Sequence, residues 1–156
     1  MNWSKVPSAL ATVLMIAASA DINARFVATT AQTSDITGYY FFVGKPPKAF
    51  QDVHWLSFAQ VDANGHRGPL NGFIRLKTPR NGKFVNFFLI RPKLNGRVIT
   101  FSTRVVRGVS YEFKGEFLKL IKLQDNEIVL KGLLSKFRNG RKVAEFTTRY
   151  SYYTGD

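Results

Sequence analysis

Cysteine is absent from all 156 residues, which excludes a disulfide framework, a thiolate metal centre and a thiol nucleophile. Histidine is almost absent. His54 and His66 stand alone, with no His-x-His or Glu-x-x-His spacing to suggest a metal site or a general base. Carboxylates are scarce too: 10 Asp and Glu face 23 Lys and Arg, for a formal charge of +13. Glu112 and Glu116 alternate with Lys114 as a solvated ladder of charge, and Glu127 and Glu145 flank hairpins, so no carboxylate pair suggests acid–base catalysis. No glycine-rich phosphate loop occurs. The expectation is a protein that is not an enzyme and needs no metal and no cofactor.

What is present begins with MNWSKVPSALATVLMIAASA. One positive charge at Lys5, an apolar run over residues 6–17 and the small-residue site Ala18-Ser19-Ala20 have the layout of a secretory signal peptide, cleaved after Ala20 or, as an alternative, after Ala24. The run falls short of the ~20 residues of a spanning helix, and no cysteine follows it for acylation. The expected setting is therefore export, to a bacterial periplasm or the extracellular space. Residues 21–35 form a small, polar, loosely held leader, and residues 36–156 form one domain. The positive charge, spread over every strand and turn, suits an anionic surface or simple solubility.

From Ile36 onward no stretch keeps a helical period. Apolar and aromatic runs alternate instead with turn chemistry. Asn64-Gly65, Asn81-Gly82, Asn95-Gly96 and Asn139-Gly140 each suit a type I′ hairpin, because Asn tolerates and Gly freely adopts positive φ. Arg107-Gly108 and Asp125-Asn126 are weaker signals of the same kind. Six tight turns thus join seven strands, and an eighth precedes them across the one long connection, GKPPKAFQDV at residues 44–53. The spacing predicts strands over residues 37–43, 54–62, 70–77, 84–90, 97–104, 109–123, 127–138 and 141–153. The fold class is all-β: an eight-stranded antiparallel up-and-down meander closed into a small barrel, which leaves no open edges.

Alternation assigns the faces. Along residues 141–153 the even positions, Phe146, Tyr150 and Tyr152 among them, look inward, and along residues 109–117 the odd positions do. Gly72, Gly115 and Gly132 interrupt strands where a small barrel must bend. Two segments are apolar on both faces, FVNFFLI at 84–90 and IVLKGLL at 128–134. Either another segment covers them or they form a homodimer interface.

The opening strand, Ile36-Thr37-Gly38-Tyr39-Tyr40, resembles the first strand of the calycins, the lipocalin and avidin-like barrels, and the long loop after it is similar to the lipocalin lid. The resemblance implies a barrel open at one end, with residues 44–53 near its mouth. Lipocalins carry tryptophan where this chain has Tyr40. The later tryptophans that avidin-like proteins place around biotin have no counterpart beyond Trp55.

Aromatic excess, with 14 Phe, 6 Tyr and 2 Trp, on strands whose number permits a cavity leads to the first functional expectation. It is an exported barrel binding a small apolar or amphiphilic ligand, with an anionic group held at the mouth. The candidate lining residues are Tyr39, Phe41, Phe101, Tyr111, Phe113, Phe146 and Tyr150. The candidate mouth residues are Lys45, Pro46, Pro47 and Lys48. The alternative is a filled barrel acting through its surface on proteins or anionic partners. An outer-membrane barrel and a barrel enzyme stand behind these two. Nucleic acid is not expected as a partner, since single-strand-binding barrels of the OB type use five strands.

Overall fold

The computed structural model describes residues 35–61, 66–78 and 82–155. The expected signal peptide, most of the leader and the Asn64-Gly65 turn lie outside these residues. Eight antiparallel strands follow one another around a closed barrel: β1 (Gly38–Phe42), β2 (Val53–Val61), β3 (Arg67–Lys77), β4 (Phe84–Asn95), β5 (Val98–Thr103), β6 (Val109–Phe117), β7 (Ile128–Arg138) and β8 (Arg141–Tyr153). A single 3₁₀ turn, Lys48–Phe50, interrupts the long connection between β1 and β2. Closure comes from β1, which pairs with β2 on one side and β8 on the other, placing Tyr40 opposite both Leu56 and Tyr152.

The tight turns follow their residue chemistry. Asn139 and Gly140 both take positive φ (48° and 77°) between the paired Arg138 and Arg141, the pattern of a type I′ hairpin. Arg107 and Gly108 do the same (52° and 75°), and Val106 and Val109 exchange both backbone hydrogen bonds across them at 2.8 and 3.0 Å. The β4–β5 turn sits one residue later than expected. Asn95 pairs with Val98, so Gly96 and Arg97 form the loop, and Gly96 alone has positive φ, as in type II′.

β6 ends at Phe117 rather than extending to residue 123. Its last partner is Leu130. Beyond it the chain swings across the start of β7, where the Leu118 N–H donates to the Val129 carbonyl at 2.7 Å. Leu120 and Leu123 pack against the core there instead of continuing the alternation.

The interior is apolar and built from rings. Tyr40, Phe58, Phe101, Phe113, Phe117 and Tyr150 are buried. Phe101 stacks on Phe113 with centroids 5.3 Å apart, Phe113 meets Tyr150 edge-on at 5.7 Å, and Tyr40 meets Phe58 at 5.0 Å. Gly115 and Gly132 are direct cross-strand partners, and a Cβ on either would lie 2.5 Å from the Phe113 ring. Gly72 is more constrained. It has a φ of +155°, and a Cβ there would lie 2.0 Å from the Ser57 carbonyl oxygen. The outer wall carries the charge, with Glu112, Lys114, Lys131 and Arg149 exposed.

Two glycines therefore make different demands. Gly96→Ala strains only a left-handed turn position open to solvent, at a cost of about 1–2 kcal/mol. Gly72→Ala must also force β2 and β3 apart. The thermal midpoint is expected to drop by several degrees for Gly96→Ala and by at least twice as much for Gly72→Ala, read by circular dichroism; equal losses would contradict the close approach at Ser57.

Candidate functional site

Side-chain direction on the first strand decides where the opening aromatic run can act. Tyr40 is fully buried and Phe42 packs against the core. Tyr39 and Phe41, expected to line the interior, stand on the outer face against Trp55, at 6.1 and 5.6 Å between ring centroids. The register imposes this reversal: Tyr152 belongs to the inward face of β8, and its partner Tyr40 must share that face. The Tyr40 hydroxyl donates to the Ile36 carbonyl at 2.7 Å and the Tyr152 hydroxyl to the Thr37 carbonyl at 2.8 Å, tying the residues before β1 over that end of the barrel.

The other expected rings do enter the interior. Phe101, Tyr111, Phe113 and Tyr150 are buried, and Phe146 is half-buried against Phe50 with centroids 4.5 Å apart. Phe101 packs on Phe113 and Phe113 on Tyr150, while Tyr111 and Phe146 both pack against Phe50. The long connection reaches the expected end of the barrel and inserts Phe50 beneath itself. Lys45, Pro46 and Pro47 line a groove of about 520 Å³ beside β8, with Phe42, Phe146 and Arg149 opposite. Lys48 is exposed at the start of the 3₁₀ turn.

That groove is formed by β8 and the chain at the end of β1, whereas a separate cavity draws on β3, β4, β7 and the β5–β6 hairpin. This cavity of about 280 Å³ is walled by Leu76, Val85, Phe87, Val106 and Val109. These come from the ends of β3 and β4 and from the β5–β6 hairpin. Around the rim stand Lys77, Arg107, Lys136 and Arg138, with Asp52 as the single carboxylate lining it among the described residues. Lys136 is already engaged, donating to the Ala49 carbonyl at 2.8 Å and pairing with Asp52 at 3.3 Å. Lys77, Arg107 and Arg138 have no carboxylate partner among the described residues. Below the rim, the Tyr111 ring meets Phe87 edge-on at 5.2 Å and lies 5.7 Å under the Lys136 ammonium.

Burial sets the protonation of this interior. The phenols of Tyr40, Tyr111 and Tyr150 are all pushed up, first by loss of solvent; for Tyr111 the Asp52 charge adds to the shift. The hydroxyls of Tyr111 and Tyr150 find no partner among the described residues. His54 is held below the ordinary histidine value, by partial burial first and then by Lys77 and Arg75. It packs on the outer face against Trp55 and Phe84. His66 is exposed. Among the described residues no three His, Asp or Glu side chains converge as metal ligands do.

The cup residues escaped the sequence reading because they are scattered over three strand ends, one hairpin and the long connection. A signal was present in the basic residues Lys77, Arg107, Lys136 and Arg138, which all fall at strand ends on the side of the long loop. Compared with known proteins, the chain matches no family model, no curated protein and no solved structure.

The raised phenols generate an alkaline prediction. A phenol whose folded pKa lies above its unfolded value of 10.0 contributes stability that is complete below pH 10 and is lost as pH rises beyond it. Tyrosinate absorbance at 295 nm should show these phenols ionising together with unfolding seen by circular dichroism. Tyr150→Phe removes a buried hydroxyl without a partner, and is expected to raise stability by about 1 kcal/mol; a loss of stability would show that the hydroxyl is satisfied.

Proposed function

We propose that the protein binds small amphiphilic anions, with the apolar part in the cup at the barrel mouth and the anionic group on its basic rim. The observation that carries this reading is the pairing of an apolar cavity with three basic side chains, Lys77, Arg107 and Arg138, that have no carboxylate partner among the described residues. Unpaired cations around a concave apolar surface favour a ligand with the same two-part chemistry. A volume of about 280 Å³ holds roughly nine water-sized groups, so the ligand is short.

The packed rings below the cup form its floor, and recognition takes place at the mouth rather than deep in the lumen. The polarity of the wall supports the same reading over a lipid-spanning barrel. Such a barrel carries an apolar band outside and a polar interior; here the interior is aromatic and mid-strand outward positions include Lys114, Lys131 and Arg149. The N-terminal pattern around Lys5 and residues 6–20 supports export as the setting.

Calorimetric titration with octanoate and with octanol tests the two halves separately. Octanoate should bind about tenfold more tightly than octanol, from one or two charge-assisted contacts. The double variant Arg107→Ala/Arg138→Ala should erase that difference while leaving octanol binding in place. Val106→Trp, which fills the cup from the hairpin, should abolish both. Binding that persists in Val106→Trp, or no binding to the unaltered protein, would overturn the proposal.

A further inference from the structure

The outer wall of β1 to β4 carries a second surface that the cup does not use. Pairing aligns outward side chains into rows that cross the strands. One row runs through Tyr153, Tyr39, Ser57, Phe73 and Phe88. The next runs through Phe41, Trp55, Arg75 and Asn86. Arg75 sits among the rings, its guanidinium carbon 4.9 Å from the Trp55 centroid, 5.2 Å from Phe73 and 5.4 Å from Phe84, with Nε donating to the Asn86 side-chain oxygen at 2.9 Å. The result is an ordered aromatic sheet face held around one cation.

On that face β4 projects furthest. Phe84 and Phe88 are 48% and 52% exposed, and Ile90 follows at 38%. A ridge of exposed rings is unusual on a wall otherwise studded with charge. The stretch of chain that forms most of it is strongly basic. Residues 38–95 contain nine Lys and Arg against two carboxylates, Asp52 and Asp62, and Asp52 is paired with Lys136. Exposed aromatic rings flanked by basic side chains match the chemistry of an anionic bilayer surface, where rings settle among headgroups and cations meet lipid phosphates.

We infer that the outer face of β1 to β4, led by Phe84 and Phe88, docks the protein on anionic lipid surfaces. Phe84 pairs with Lys77 at the strand ends beside the cup, so docking also sets the basic rim against the headgroups. The inference stands on the outer face alone and does not depend on what the cup binds.

Trp55 lies in the middle of the face and reports on it directly. In the full chain carrying Trp3→Phe it is the one indole left. Added vesicles of phosphatidylglycerol should shift its emission to the blue and bring it within reach of lipid-borne bromine quenchers. Phosphatidylcholine vesicles should not, and 0.5 M NaCl should weaken the effect, about as expected for screening. Phe84→Ser/Phe88→Ser should reduce vesicle partition by roughly tenfold or more, with the fold checked by circular dichroism. Leu133→Ser and Val143→Ser, at exposed apolar positions of β7 and β8, should leave it unchanged. Three results would overturn the inference: no partition onto phosphatidylglycerol, partition indifferent to the Phe84/Phe88 change, or a dimer in sedimentation that Phe88→Ser dissociates, which would make a second copy the occupant of this face.

Discussion

An eight-stranded barrel encloses a limited interior, and this chain fills it with rings up to the limit that backbone approach allows. Phe113 occupies space that Cβ atoms at Gly115 and Gly132 would otherwise take. Those two glycines face each other across β6 and β7, so a single ring spans a pair of strands at the place where both lack side chains. The same ring stacks on Phe101 and abuts Tyr150. Movement of Phe113 would therefore be felt on β5, β6, β7 and β8 together, which is how close packing turns separate hairpins into one rigid wall. The shallow cup at the mouth rests on other rings of the same interior, with Phe87 in its lining and Tyr111 edge-on against it.

Much of the architecture was legible in the sequence because hairpin chemistry is local. Asn139-Gly140 and Arg107-Gly108 take the backbone shape that their residues favour, and β8 spans the residues its alternation implied. The first strand was different. Tyr39, Tyr40, Phe41 and Phe42 make both faces equally aromatic, so period-2 alternation offers two equal solutions. The choice comes from register with Tyr152, more than a hundred positions away, and nothing near β1 encodes it. β6 misled for a related reason: residues 118–123 continue its mixture of apolar and basic side chains, yet Leu120 and Leu123 pack against the core instead of extending the wall. FVNFFLI at 84–90 proved two-faced in fact, with Phe87 buried in the core and Phe84 and Phe88 left outside.

The candidate site was less legible than the fold because its residues share no stretch of chain. The cup takes both its apolar side chains and its cations from strand ends and one hairpin, where each looks like an ordinary hairpin residue. Its electrostatics depend on one pairing, Lys136 with Asp52 and the Ala49 carbonyl. That contact removes the lining carboxylate of Asp52 from the rim's balance and anchors the long connection to β7. The ion pair thus acts both on the charge that an approaching anion meets and on the position of the loop that carries Phe50 into the core.

The shortness of β1 has a consequence for how the molecule assembles. Neighbouring strands from β3 to β8 are joined by short or moderate connections and can pair as soon as they are made. Closure instead joins positions separated by most of the domain, as in the Tyr152 bond to the Thr37 carbonyl across 115 positions. Loop-closure entropy makes such a contact late, so β1 is expected to dock last onto a sheet already formed, and hydrogen exchange that reached β1 no sooner than β6 would count against this order. A five-residue strand whose departure bares the edges of both β2 and β8 is also a natural unit of exchange. Two chains that trade first strands would rebuild every contact of the closed barrel, which makes strand-swapped dimers the characteristic misassembly of this topology at high concentration.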